Sequence, residues 1–262
     1  MVRARTIQGY SRQGLNYVRN GTGPPVVLVH GWCLSRRVWM YLEYGLVASG
    51  HSVITLDLAG FGESAGLAPR TSLAEHASDV TDLLDELDVQ DAVLAGFAFG
   101  AAVILAAQDY QRVGSLVSLA IPSAGTAPYP RMRGSILKDW PRFAARSSGA
   151  ILSQPASEET KQWLAGIFEA TSLGAALAGL EILEKYEPSE ITRQWNVPAI
   201  FVHGADDPIV PAEVSRNCAE RLDGTYVEIA SSGHLVVIDQ KQAVQDVIED
   251  AVARLRRADA DA

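Results

Sequence analysis

The chain has 262 residues and a formal net charge of −9, and 48% of its residues are hydrophobic while 20% are charged. These proportions are ordinary for a folded globular protein, and the length fits one α/β domain that carries an insertion. The acidic balance argues against a nucleic-acid partner, because contacts to phosphates need clustered Lys and Arg.

The cysteines and the apolar segments limit the remaining possibilities. The two cysteines, Cys33 and Cys218, lack a second cysteine or a histidine at the spacing of metal ligands, so we expect neither a disulfide framework nor a bound metal. The first residues lack the apolar stretch of a secretory signal, so we expect a cytoplasmic protein. The small and apolar run 92–107 is shorter than the roughly 20 residues of a membrane span, and no membrane partner is expected.

Short apolar runs bounded by turn residues alternate with helical patterns along most of the chain. This alternation predicts an α/β fold with a mostly parallel sheet that is covered by helices on both faces. Apolar side chains recur at helical spacing in 73–87 and again in 244–255, which predicts two amphipathic helices. The predicted strands are 25–29, 53–56, 92–95, 116–119, 199–202 and 226–229.

Residues 125–196 interrupt the alternation, because they have helical patterning and no convincing strand. We therefore predict an inserted helical cap at 125–196, between a first part of the core at 1–124 and a second part at 197–262. Apolar side chains of this segment are expected to form a roof over a binding site. They are Trp140, Phe143, Trp163, Leu164, Ile167 and Phe168.

The pentapeptide Gly96-Phe97-Ala98-Phe99-Gly100 lies between a predicted strand and a predicted helix. Two glycines at this spacing let the strand and the helix approach closely around a central residue with strained backbone angles. The central residue would lie at the helix N-terminus, where backbone N–H groups favour developing negative charge. Serine is the residue that a nucleophile elbow carries there, and this chain has Ala98.

Two further polar residues follow predicted strands of the same sheet. Asp206 and Asp207 come after the strand 199–202, which places a carboxylate at the carboxyl end of a parallel strand, where such sheets have their sites. His234 follows the strand 226–229 in a loop, from which it could bridge an acid and a nucleophile.

With these residues in this order, the chain resembles the α/β-hydrolases over essentially its whole length. The order of elbow, acid and histidine agrees with the Ser…Asp/Glu…His order of that family, and 57–64 resembles its structural Asp-x-x-Gly-x-Gly-x-Ser turn. The start His30-Gly31-Trp32 and the compact cap are most similar to the esterase, lactonase and perhydrolase branch.

The resemblance implies a role for each candidate residue. Asp207 rather than Asp206 would orient the imidazole of His234, which would be the general base, and the backbone N–H groups of Trp32 and Phe99 would form the oxyanion hole. It implies a small apolar ester or lactone as substrate and no cofactor, and it leaves a homodimer open. The substrate contacts are expected from Trp32, Phe97, Trp140, Trp163 and Phe168.

Alanine at position 98 cannot attack a carbonyl carbon, so the triad lacks its nucleophile. Serine to alanine deletes one oxygen and keeps the Cβ atom, and we therefore interpret Ala98 as an engineered change that disables the enzyme. Three alternatives stay open: a natural enzyme in which His234 and Asp207 activate water, as in proteins resembling aminoacrylate hydrolases; a cofactor-free dioxygenase; and a non-catalytic ligand-binding protein.

Overall fold

The computed structural model describes residues 6–107, 110–125, 128–152 and 156–260, with side chains up to residue 257. The strands in these ranges are β1 (Thr6–Tyr10), β2 (Asn16–Asn20), β3 (Pro25–Val29), β4 (Ser52–Leu56), β5 (Ala92–Phe97), β6 (Val113–Leu119), β7 (Ala199–Gly204) and β8 (Thr225–Ile229). They form one sheet in the order β1-β2-β4-β3-β5-β6-β7-β8. The pairs from β4 through β8 are parallel, and β1 and β2 add an antiparallel edge.

The α-helices of the described ranges cover both sides of this sheet. They are α1 (Met40–Ala48), α2 (Leu73–Glu86), α3 (Phe99–Leu105), α4 (Tyr129–Lys138), α5 (Trp140–Ala150), α6 (Glu158–Glu169), α7 (Leu173–Glu184), α8 (Ala212–Arg221), α9 (Val236–Asp239) and α10 (Lys241–Ala260). The prediction of an α/β fold with a mostly parallel sheet is confirmed. The two predicted amphipathic helices correspond to α2 and α10, and the helix predicted after the pentapeptide corresponds to α3.

The central strands are buried on both faces, which explains their continuous apolar sequences. Every residue of β4, β5 and β6 is buried. These strands therefore form the centre of the core. Each Å² of apolar surface that they remove from water stabilises the fold by about 25 cal/mol. All six strands predicted from apolar runs are present.

The hairpin of β1 and β2 was not predicted from the sequence. Its first strand is mostly exposed, and its second strand has Asn16, Arg19 and Asn20 around two apolar residues. An edge strand that faces water on one side needs no apolar run, and our prediction relied on such runs. The short helices α1, α8 and α9 were missed for a similar reason, because each buries only two or three side chains.

Helices α4 to α7 lie between β6 and β7 in the chain, and we call them the insertion helices. They pack on one another, α4 against α7 and α5 against α6. Among the described residues no single helix is long and apolar enough to cross a membrane, although the pair α6 and α7, bent by 92°, passes by length and composition together. The boundaries of a separate cap at 125–196 stay a prediction.

Candidate active site

Ala98 occupies the sharp turn that joins β5 to α3. Its backbone has φ 48° and ψ −111°, a conformation that residues with a Cβ atom rarely adopt. The Ala98 N–H donates to the carbonyl oxygen of Leu119 at 2.8 Å, which ties the turn to β6. A Cβ atom on Gly96 would overlap the carbonyl oxygen of Gly100, and one on Gly100 would overlap that of Val29. Both glycines are therefore required by close backbone approach.

Strained backbone is concentrated at the carboxyl edge of the parallel strands. Of the non-glycine residues with positive φ in the described ranges, Cys33, Ala98, Ala120 and Ser231 follow β3, β5, β6 and β8 respectively. Such conformations persist only where the surroundings hold them, and they cluster at functional sites. A functional site is therefore expected at the carboxyl edge of the parallel strands.

Asp207 and His234 meet at this edge. Asp207 follows β7 and His234 follows β8, and these strands are neighbours in the sheet. The Nδ1 atom of His234 lies 2.7 Å from Oδ2 of Asp207. Because the carboxylate is an acceptor, Nδ1 carries the hydrogen and Nε2 is left as the basic nitrogen. No hydrogen bond of Nε2 to another described residue is found.

The Asp207 carboxylate is buried and accepts hydrogen bonds on both oxygens. Oδ1 accepts from the backbone N–H groups of Ile209 at 2.7 Å and Val210 at 3.0 Å, while Oδ2 lies 3.0 Å from Nε2 of His203 as well as near His234. Burial by itself raises the pKa of this carboxyl, but the hydrogen bonds from His203, His234 and Val210 outweigh it and hold the pKa well below its usual range. Asp207 is therefore an anion at neutral pH. Asp206 is exposed.

His203 is a residue of this site that the sequence analysis missed. It is fully buried in β7, and its Nδ1 atom lies 2.7 Å from the Ser215 hydroxyl. Its Nε2 atom lies 3.0 Å from the carbonyl oxygen of Val210 and the same distance from Asp207. Since both of these partners are acceptors, Nε2 carries the hydrogen. The available signal is its position four residues before Asp207, directly after the predicted strand 199–202.

The loop after β3 is fixed by His30 and by the side chain of Trp32. The Nε2 atom of His30 accepts from the Leu58 N–H at 3.0 Å, so Nδ1 carries a hydrogen and donates to the Gly31 carbonyl oxygen at 2.8 Å. Complete burial lowers the pKa of His30 despite the opposing charge of Asp57. The Trp32 indole N–H donates to the carbonyl oxygen of Ala176 on α7 at 2.9 Å.

The backbone N–H groups of Trp32 and Phe99 are available for a ligand. Phe99 is the first residue of α3, where an N–H has no partner within its own helix. For Trp32, no backbone hydrogen bond from its N–H to another described residue is found. The helix dipole at Phe99 adds partial positive charge to the same region.

A cavity of about 300 Å³ lies beneath the insertion helices, and Ala98 and His234 both line it. Of the predicted substrate contacts, Trp32, Phe97 and Phe168 line this cavity, and so does Phe99. Other lining residues, which were not predicted as contacts, are Leu34, Tyr129, Met132, Phe143, Ile151 and Leu183. Almost the whole wall is apolar, which suits an aliphatic or aromatic group.

Trp140 and Trp163 do not line the cavity. The Trp140 indole N–H donates to the carbonyl oxygen of Thr171 at 3.0 Å, and its ring stacks on Phe143 with centroids 6.0 Å apart. Trp163 contacts the ring of Tyr41 on α1 instead. Both residues therefore hold the insertion helices in place. The helical pattern of this segment did not reveal which aromatic side chains face inward.

Among the described residues, no group of three or more His, Cys, Asp or Glu side chains could hold a metal ion.

Comparison with known proteins agrees with this architecture. Residues 26–247 match the model of the alpha/beta hydrolase family. The AB hydrolase superfamily protein YisY of Bacillus subtilis is 26% identical over 87% of this chain and 91% of that protein. A thermophilic esterase from Thermogutta terrifontis is 25% identical with a TM-score of 0.80, covering 96% of this chain and 99% of that one. A bromoperoxidase from Bacillus anthracis has a TM-score of 0.86 at 22% identity, covering 95% and 100% respectively. The chain thus belongs to the alpha/beta hydrolase family and has its fold.

Proposed function

We propose that this is the active site of an enzyme that hydrolyses a carboxylic ester or lactone through a serine–histidine–aspartate mechanism, and that Ala98 occupies the nucleophile position and disables the enzyme. The observation that carries the proposal is the contact of His234 with Asp207 at 2.7 Å, in a cavity that Ala98 also lines. The esterase relative supports the same reaction class. Residues 125–196 would then be a cap over the site, since side chains of α4 to α7 complete the cavity wall.

With serine at position 98, each proton has a defined place. His234 Nε2 takes the proton of the serine hydroxyl while the oxygen attacks the carbonyl carbon of the ester. The resulting oxyanion accepts hydrogen bonds from the backbone N–H groups of Trp32 and Phe99. The C–O bond to the alcohol then breaks, and the alcohol leaves with the proton from His234. Water repeats these steps on the acyl-serine and releases the acid.

In this reaction Asp207 keeps the histidine in the required tautomer and stabilises the imidazolium that forms. Its buried carboxylate is ionised before the reaction begins, because its pKa is held low. With alanine at position 98 the binding and oxyanion groups remain, and residual acceleration over water by such groups is about 10³–10⁴-fold.

The deciding experiment is the Ala98→Ser variant. We expect covalent labelling by a fluorophosphonate probe and turnover of short apolar esters or lactones in this variant. The chain with alanine should not be labelled and should show only the residual acceleration. Ala98→Ser combined with His234→Gln is the matched control, and it should lose both signals. A folded Ala98→Ser variant that reacts with neither the probe nor any ester would overturn the proposal.

A second candidate function rests on the intact Asp207–His234 pair beside an alanine. Without a hydroxyl at position 98, the basic Nε2 atom of His234 could activate a water molecule directly against the substrate carbonyl. In that case turnover would be the same with alanine and with serine at position 98, and it would be lost in His234→Gln. Oxygen uptake with a heteroaromatic substrate would instead indicate the dioxygenase alternative.

A further inference from the structure

A second concavity, of about 540 Å³, lies on the surface between α4 and α5. We call it the basic groove, because Lys138, Arg142 and Arg146 line it. All three side chains belong to exposed residues. In contrast to the apolar cavity, this groove presents cations to solvent.

The charge in this segment is opposite to that of the whole protein. Residues 129–150 contain five Lys or Arg and one acid, Asp139, whereas the chain has a net charge of −9. Arg133 is paired with Glu184 on α7. Lys138, Arg142 and Arg146 make no ion pair with any residue in the described ranges, and the Asp139 carboxylate accepts from the Arg142 backbone N–H at 3.1 Å as the N-cap of α5.

The spacing of these cations has a cost within the helix. Arg142 and Arg146 are four residues apart on α5, so they are neighbours on one face, and like charges at this spacing destabilise a helix. An anion bound between them would remove that repulsion. Guanidinium groups also match the planar, two-oxygen geometry of carboxylates.

The basic groove adjoins the cavity along α5. Phe143, Ser147 and Ala150 line both of them. These positions are four and three residues apart and form one stripe of the helix, directly beside the stripe of Arg142 and Arg146. A ligand that leaves the apolar cavity along this stripe therefore meets the cations.

We propose that the basic groove binds an anionic group on the substrate whose apolar part lies in the cavity. The substrate class is then an amphipathic ester or lactone with a charged terminus outside the cavity. This inference rests on the proposed function for the identity of the reacting group, and it names a recognition site that is separate from Ala98, Asp207 and His234. The neighbouring carboxylate of Asp139 limits how closely the anion approaches the Arg142 end.

The test uses the chain with Ala98 and two probes built on the same diacid, the monomethyl and the dimethyl ester of nonanedioic acid. The first has a free carboxylate and the second is neutral. We expect calorimetric titration to give about tenfold tighter binding of the monoester, since contributions of exposed ion pairs are individually small. This preference should shrink in about 0.5 M salt, where charges are screened.

The variant K138Q/R142Q/R146Q should bind both probes equally, with affinity for the dimethyl ester unchanged. The control R254Q/R256Q/R257Q removes three exposed cations from α10 and should keep the preference. A preference that survives in K138Q/R142Q/R146Q, or that is absent in the unmodified chain, would overturn the inference.

This binding experiment needs no turnover, so its failure differs from failure of the proposed function. If Ala98→Ser hydrolyses the dimethyl ester while the monoester preference is absent, the reaction stands and the basic groove does not bind anions. If the preference is present and Ala98→Ser shows no reaction, the basic groove stands alone. When both hold, K138Q/R142Q/R146Q should raise the KM of Ala98→Ser for the monoester and leave kcat unchanged.

Discussion

Nε2 of His203 lies 3.0 Å from Oδ2 of Asp207, the same oxygen that contacts His234. The carboxylate therefore lies between two imidazoles, one fully buried in β7 and one at the cavity wall. Together with the N–H groups of Ile209 and Val210, these contacts leave little freedom for the carboxylate to rotate. We infer that His203 is a positioning residue for the Asp207–His234 pair.

Replacing His203 tests this role in the Ala98→Ser background. His203→Phe keeps a ring in the buried site and removes the hydrogen bond to Asp207, so we expect kcat to fall about 10–100-fold with KM nearly unchanged. His203→Gln, whose amide can donate to the carboxylate, should recover part of the loss. Ser215→Ala removes the partner on the other side of the ring and should have a smaller effect. If all three variants had the same kcat as the Ala98→Ser parent, His203 would only fill space.

Asp207 and Asp206 form a matched pair for testing the acid. Asp207→Asn should lower kcat of Ala98→Ser by about 10⁴-fold, because an amide no longer selects the tautomer that presents a basic Nε2. Asp206 is exposed, and Asp206→Asn should leave kcat within about twofold of the parent, since surface changes of this kind have small effects. Esterase kinetics of the two variants decide the assignment. Comparable losses in both would contradict it.

Ala98 should be a source of instability. Its φ of 48° is strained for any residue with a Cβ atom, so Ala98→Gly is expected to raise the free energy of unfolding by about 1 kcal/mol. The matched control is Ala101→Gly inside α3, where glycine should lower stability by about 1 kcal/mol instead. Urea titrations measure both differences. Destabilisation by Ala98→Gly would mean that the turn is not strained.

His76 should make the protein sensitive to acid. Burial, with a smaller effect from the charges of His30 and Arg70, lowers the pKa of His76 to about 3. An unfolded chain binds a proton at this residue near pH 6.5, whereas the folded chain does not until about pH 3, so stability is retained above pH 6.5 and falls as the pH decreases. At pH 4.5 the loss from this group is roughly 2–3 kcal/mol.

The variant His76→Phe, which keeps an aromatic ring against Phe99, should remove this part of the acid sensitivity. Its free energy of unfolding should decrease less between pH 7 and pH 4.5 than that of the parent, as measured by urea titration at each pH. At pH 8 His76 is neutral in the folded and in the unfolded chain, so any difference in the free energy of unfolding between the two proteins at this pH comes from packing. Parallel pH curves for the two proteins would contradict the assigned pKa.

The features that the sequence predicted correctly depend on short-range pattern. Buried parallel strands require unbroken apolar runs, so β3 to β8 could be found. Ala98, Asp207 and His234 each lie in the segment that follows one of these strands, and their catalytic roles stay a prediction. The features that were missed depend on direction in space. Trp140 and Trp163 share the helical pattern of Phe168, yet only Phe168 faces the cavity, because packing among the insertion helices decides which side chains turn inward. His203 was missed because its contact is with a loop rather than with the next strand.

The contact between Trp32 and α7 has a mechanical consequence. A Cβ atom at Gly179 would come within 2.6 Å of the Trp32 ring, so the indole lies directly on the backbone of that helix while its N–H is bonded to Ala176. In the proposed reaction, a bulky acyl group that displaces α7 must move the indole of Trp32 as well, and the backbone of the same residue supplies an N–H to the oxyanion. In that reaction, tolerance for wider substrates and alignment of their carbonyl oxygen are linked, because a shift of α7 that makes room for the first also moves Trp32.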